Sequence, residues 1–145
     1  FGAHAKRIHK VDTRECIPIG PYIYCRKRVR HETATKICRH FGARLPVIET
    51  KSENKQLVAL SKALSRHHFW LGITDKETEG LWRWVNGASL DFKGWARGQP
   101  DNYRNEEDCA VVRARTGGSW NDLSCKSKAV VVCEYSPTKR EPPQK

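Results

Sequence analysis

Long apolar runs are missing from this chain of 145 residues. Nothing in it approaches the roughly 20 consecutive apolar residues that cross a bilayer, so no membrane span is expected. No charged-then-apolar leader opens the chain, which predicts a mature or trimmed form. There is no Asn-x-Ser/Thr acceptor, which weighs slightly against secretion, and there are no internal repeats. Also absent are a Cys-x-x-Cys pair, a Gly-x-Ser-x-Gly elbow, a His-Glu-x-x-His helix and a phosphate-cradling glycine loop. The chemistry of zinc ribbons, serine hydrolases, zinc peptidases and nucleotide enzymes therefore has no foothold, and catalysis is not expected. His67-His68 reads as a surface feature, not a zinc site. Glu106 and Glu107 could imitate the paired acids of a glycosidase, but a metal-binding reading, developed below, uses them more completely.

What is present is cysteine and positive charge. Six cysteines (16, 25, 38, 109, 125 and 133) are even in number and widely spaced. Cross-links closing such loops stabilise by roughly 2–4 kcal/mol each and require an oxidising compartment. This places the chain in a secreted or extracellular setting, the ectodomain of a membrane-anchored protein included; the alternative is six reduced, buried thiols in a cytosolic protein. The formal charge is +11, with Lys and Arg concentrated near the start and in the tail. Such a surface attracts anionic partners at a range set by salt. No nucleic-acid-binding motif accompanies it, so no nucleic acid is expected, and sulphated glycans or acidic surfaces fit better. A solvated basic face with no partner is the plainer alternative.

With 38% apolar and 30% charged residues the chain suits one domain. Residues 1–14 form a basic N-terminal segment, 15–135 the folded body, and 136–145 (SPTKREPPQK) a tail expected to be disordered. Ala34, Ile37, Cys38 and Phe41 share one face of a helix over 31–41, which Gly42 can end in a left-handed conformation. A second helix starts near Thr50, where Thr50 and Glu53 have capping-box spacing, with Leu57, Leu60 and Leu64 on its buried side. Beyond Arg66, short apolar stretches (Phe69–Ile73, Leu81–Val85, Ala110–Val112, Ala129–Cys133) alternate with polar loops. Two helices followed by strands and loops read as α+β.

The interval from Val85 to Glu107 has little period, and long irregular loops in compact domains are usually functional. Oxygen-bearing side chains crowd in and just after it: Gln99, Asp101, Asn102, Asn105, Glu106, Glu107, Asp108, then Asn121 and Asp122. A disulfide between Cys109 and Cys125 would draw the two groups together. Carboxylates gathered so closely need a neutralising cation or basic partner. Amide and carboxylate oxygens without His or Cys are the hard ligand set that Ca²⁺ takes at six- to eightfold coordination.

The ordered elements Gln99-Pro100-Asp101, Glu107-Asp108-Cys109 and Trp120-Asn121-Asp122, with Trp70-Leu71-Gly72-Ile73 and Trp82-x-Trp84-x-x-Gly87, closely resemble the C-type lectin domain. The resemblance runs from about Cys16 to Glu134. It implies that fold: two helices, small antiparallel sheets, a long calcium-binding loop and three disulfides. It pairs Cys38 with Cys133, Cys109 with Cys125 and, in the long form of the fold, Cys16 with Cys25. The chain departs from the pattern in its short Cys16–Cys25–Cys38 spacing and in lacking the usual Trp before the first helix.

By the same resemblance a principal calcium is held by Gln99, Asp101, Glu107, Asn121 and Asp122, with Pro100 cis. A second is held by Asp75, Glu79, Asn102 and Asp108. Sugar hydroxyls would coordinate that principal calcium and hydrogen-bond to its ligands, so sugar contacts fall to Gln99, Asp101, Tyr103, Glu107 and Asn121. The order Gln99 then Asp101 reverses the Glu/Asn arrangement of mannose-type members and goes with galactose and N-acetylgalactosamine. Tyr103 sits where such members place a ring against the sugar's apolar face, or is an exposed loop tyrosine without a ligand. Arg104-Asn105-Glu106 lacks the glycine-rich loop of the most selective members, so modest discrimination is expected. Implied partners are galactose-type glycans on glycoproteins or cell surfaces, and oligomerisation is compatible with the sequence. The rival reading is an extracellular matrix or recognition module that keeps the fold and binds protein or sulphated ligands through its basic surface.

Tryptophans 70, 82, 84 and 95 read as core, not as ligand platforms.

Overall fold

A computed structural model describes residues 11–64, 67–96, 98–100, 106–114 and 118–136. Most of the basic N-terminal segment and of the tail, together with Asp101, Asn102 and Tyr103, lie outside these residues.

Strands β1 (Cys16–Ile19) and β2 (Tyr22–Val29) come first, then helices α1 (His31–His40) and α2 (Lys51–Leu64). Five strands follow: β3 (Phe69–Thr74), β4 (Arg83–Trp84), β5 (Cys109–Arg113), β6 (Ser119–Leu123) and β7 (Ala129–Glu134). The sheet order is β1-β2-β7-β3-β5-β6, with β4 beside β3. Between these strands every pairing is antiparallel except the single Phe69↔Val130 contact of β3 with β7. The α+β expectation is met, with one change of order: a hairpin precedes the helices. Its turn holds Gly20 at φ 55°, a conformation open to glycine at no steric cost.

The last strand explains the layering. Alternate residues of β7 enter different cores, Val130 and Val132 on one face, Ala129, Val131 and Cys133 on the other. A strand covered on both faces reads as a continuous apolar run, here Ala-Val-Val-Val-Cys. Helix α1 buries His31, Ala34, Ile37 and Cys38 and is joined to β7 by the Cys38–Cys133 disulfide. It ends as expected at Gly42, φ 72°, whose N–H donates to the Arg39 carbonyl at 2.9 Å. The imidazole of His31, buried at the first turn, donates from Nε2 to the Leu71 carbonyl at 3.0 Å and meets Trp70 edge-on. Burial holds it below the usual histidine range, which disfavours its charged form.

Helix α2 begins with the capping box: the Glu53 N–H donates to Thr50 Oγ1 at 3.1 Å, and the Thr50 N–H donates to the Glu53 carboxylate. Its buried face differs from the leucine stripe. Leu57, Val58 and Ser61 are buried, while Leu60 and Leu64 pack only partly against the core. Val58 is turned inward by the next layer, because Gly118 lies so close that any Cβ there would overlap the Val58 side chain. The expected strand over Leu81–Val85 shrinks to Arg83–Trp84, with Leu81 and Val85 exposed.

Cys16 pairs with Cys25 within the hairpin, and Cys109 with Cys125, as the resemblance implied. Trp70, Trp82 and Trp84 are buried, whereas Trp95 packs against the core while remaining partly exposed.

Candidate metal centre

Strands β3 and β5 end side by side. Thr74 pairs with Cys109, and one residue beyond, the Asp75 N–H donates to the Asp108 carbonyl at 3.2 Å. This fixes two carboxylates at the rim of the sheet. A turn then brings back a third: Gly80, at φ 86°, donates its N–H to Asp75 Oδ2 at 2.9 Å. As a result Asp75, Glu79 and Asp108 each offer an oxygen within 4.8 Å of the others.

The electrostatics of this trio is unbalanced. Asp75 Oδ1 and Asp108 Oδ1 are buried without a hydrogen-bond partner. Burial pushes the Asp75 carboxyl above its ordinary range, and Glu79 adds to the rise while the Gly80 N–H opposes it. Asp108 is raised first by burial and then by Asp75. Crowded, desolvated carboxylates with spare lone pairs are relieved by protons or by a hard cation, and an all-oxygen donor set fits calcium.

The second part of the site is built on β6. Asp122 is fully buried and Asn121 nearly so; they lie opposite Ala110 and Val111 of β5. The long loop is hitched to this strand beside them. The Trp120 N–H donates to the Gly94 carbonyl at 2.7 Å, and the Ala96 N–H donates back to the Trp120 carbonyl at 2.8 Å. The backbone at Gly94 runs so close to the Trp120 indole that an added Cβ would lie 2.7 Å from it. From there the Gln99 N–H donates to the Ala96 carbonyl, and the Gln99–Pro100 bond is cis. Gln99 Oε1 is buried with no hydrogen-bond partner, a third orphaned oxygen.

Pro100, Asp122 and Glu79 line one cleft of about 350 Å³, together with Trp82 and Trp95. Glu79 therefore belongs to the carboxylate trio and also faces the Pro100–Asp122 cleft. Asn121 is not among the described residues lining it. Glu107 is half-buried, two residues before the Cys109–Cys125 disulfide. Asp101, Asn102 and Tyr103 fall outside the described residues. Sequence reasoning missed Gly94, Ala96 and Trp95 as the elements that seat the loop. A glycine needed for close approach looks like any loop glycine in sequence.

Residues 27–135 match the family model of the lectin C-type domain. The chain belongs to this family. It is 37% identical over 123 residues to mouse "C-type lectin domain family 4 member F", covering 79% of this chain but 21% of that protein. It is 33% identical over 117 residues to the "Alpha-N-acetylgalactosamine-specific lectin" of Patiria pectinifera, covering 74% of this chain and 69% of that one. Among solved structures, the carbohydrate-recognition domain of the mouse scavenger receptor C-type lectin matches with a TM-score of 0.71 at 28% identity. That match covers 86% of this chain and 98% of that domain. Its relatives are thus C-type lectins, non-enzymatic carbohydrate-binding domains that generally bind calcium. The fold, the three disulfides and this membership agree with one another.

Proposed function

We propose that the chain binds terminal galactose or N-acetylgalactosamine in a calcium-dependent manner, through the sugar 3- and 4-hydroxyls. The observation that carries this reading is the orphaned, buried amide oxygen of Gln99 at the base of the loop. A buried acceptor without a partner costs roughly 1–3 kcal/mol, so a ligand for it is favoured. Gln99, Asp101, Glu107, Asn121 and Asp122 would hold the principal calcium, and Asp75, Glu79, Asn102 and Asp108 the second. Calcium, when bound, supplies coordination positions for two neighbouring hydroxyls. The protein's part is selection: each hydroxyl accepts from an amide of Gln99 or Asn121 and donates to a carboxylate of Asp101 or Glu107. Tyr103 would stack on the apolar face of galactose. The galactose order of Gln99 and Asp101, and the specificity in the name of the Patiria relative, support the sugar class. Glycoproteins or cell surfaces bearing such glycans are the proposed partners, and self-association would raise avidity.

Retention on galactose-agarose with release by EDTA is the expected result. Asp101→Ala and Asn121→Ala should each weaken sugar binding on the order of a hundredfold or more while the fold survives. Tyr103→Ala should reduce the preference for galactose over mannose more than it reduces calcium affinity. Full galactose binding by Asp101→Ala would sink the assignment.

Calcium should also stabilise the fold, by about 2.7 kcal/mol at a concentration a hundredfold above Kd. The pH dependence has a definite sign. In the metal-free protein Asp75 and Asp108 have raised pKa values. Their contribution to stability is fully present below the unfolded-chain carboxyl pKa and is lost as pH rises through the raised values. Calcium binds the ionised forms, so the calcium-induced rise in Tm should be largest at neutral pH. It should shrink on acidification before ordinary surface aspartates protonate. Thermal melts with calcium and with EDTA at several pH values measure this, and an increment independent of pH would contradict it.

A further inference from the structure

The proposed calcium sites draw on acids and amides of this chain and on none of its 27 Lys and Arg residues. Their placement is not uniform. Between the pairs Cys25↔Val131 and Val29↔Ala129 the register slips, four steps along β2 matching two along β7. The surplus residues are those of Arg26-Lys27-Arg28, three consecutive exposed cations where a regular strand would alternate. Two of them are spent locally: Arg26 pairs with Glu15 and Lys27 with Asp12. Arg28 has no carboxylate partner among the described residues, and neither do Arg30, Lys126 or Lys128.

The fold gathers these four. Val29 and Ala129 form the last pair of the β2–β7 ladder, so Arg30 and Lys128 leave it side by side. The His31 N–H donates to the Cys125 carbonyl at 3.1 Å, which sets Arg30 against the Cys125–Lys126 segment. Arg30 and Lys126 accordingly line one cleft of about 490 Å³, together with Lys76. At the other end the Val130 N–H donates to the His68 carbonyl. There burial holds the His68 imidazole below the usual range, and the neighbouring His67, Arg113 and Arg28 lower it further. The described acids lining the cleft at the Arg30–Lys126 end are Glu32, Glu106 and Asp108, and Glu32 lies 3.8 Å from Lys36.

We infer that Arg28, Arg30, Lys126 and Lys128 form a second, calcium-independent binding surface for a sulphated polysaccharide. Unpaired exposed cations in a row match a chain carrying repeated fixed negative charges, and they release condensed counterions on binding it. Two observations favour a sulphated glycan over nucleic acid. The three disulfides place the domain in an oxidising, extracellular setting. Among the described residues no Phe, Tyr or Trp is exposed, so the track offers none of these rings to stack a base. The inference does not rest on the galactose reading: none of its four cations is a proposed calcium ligand, and of those ligands only Asp108 borders the cleft at one end.

The test is binding of the full chain to a fluorescent heparin-derived oligosaccharide in EDTA. Affinity should fall steeply with added salt. It should drop at least about tenfold when Arg28→Ser, Arg30→Ser, Lys126→Ser and Lys128→Ser are combined. That variant should still melt cooperatively and keep its calcium-dependent retention on galactose-agarose, which separates failure of this surface from failure of the sugar site. A control carrying Lys139→Ser and Arg140→Ser should bind the oligosaccharide normally. The inference is overturned if the tail control loses binding instead, if the fourfold variant binds like the wild type, or if binding requires calcium. It is also overturned if the desulphated oligosaccharide, or duplex DNA at equal charge, binds as well as the sulphated probe.

Discussion

Replacing Cys38 and Cys133 together by alanine is expected to cost about 4–5 kcal/mol, on the scale of the whole stability of many domains. The bond spans 95 residues of sequence. In the chain-entropy account, opening so long a loop restores far more freedom to the unfolded chain than to the folded one. Both cysteines are also fully buried, so the variant loses packing between α1 and β7 as well. The Cys16–Cys25 bond spans only nine residues, and its removal should cost about 2–3 kcal/mol on the same scale. Urea unfolding of the two variants beside the wild type measures the difference. Equal losses would mean that local strand geometry, not loop length, governs what these cross-links contribute.

Trp120→Ala should have the second large effect, and on two properties at once. The indole is fully buried and meets Trp84, Phe92 and Trp95 edge-on, with centroids 5.5 to 5.7 Å away. Its Nε1–H donates to Asn54 Oδ1 at 2.9 Å. Truncating a buried aromatic of this size costs about 3–5 kcal/mol. Because Gly94 rests directly on the ring, the seat of the loop goes with it. Calcium affinity should therefore fall by more than an order of magnitude in protein that still folds at low temperature. Asn54→Ala provides the contrast: it removes two side-chain hydrogen bonds, to Trp120 Nε1 and to the Gly118 carbonyl, costs roughly 1–3 kcal/mol, and should leave calcium affinity close to normal. Calorimetric calcium titrations of both variants decide the matter, and an undiminished affinity in Trp120→Ala would show that the loop is seated by other contacts.

Local chemistry was legible in the sequence wherever one segment carried the whole signal. The capping box of α2 needs only Thr50 and Glu53, and the end of α1 needs only Gly42. The β1–β2 hairpin was not legible, because Pro18 and the basic run Arg26-Lys27-Arg28 break the alternation that marks a strand. Pro18 is held in a strand by its pairing with Ile23, and the basic run by the β2–β7 pairs on either side of it. The buried side of α2 moved from Leu60 and Leu64 toward Val58 and Ser61 because a partner from another segment, Gly118, decides which flank is covered. At the site, Asp75, Glu79 and Asp108 were named from the resemblance, and their convergence is physical: adjacent strand ends and one glycine turn. What no sequence pattern conveyed is that Glu79 also faces the cleft of Pro100 and Asp122. Glu79 thus borders both the carboxylate trio and that cleft.

The hitch between Gly94, Ala96 and Trp120 on one side, and the Cys109–Cys125 bond on the other, fasten both shoulders of the binding loop to β6 and its neighbours. Replacements between those two fastenings need not be transmitted to the cores. A segment so fastened at both ends can vary in sequence with less effect on the two cores than a change at Gly94, Trp120 or either cysteine would have.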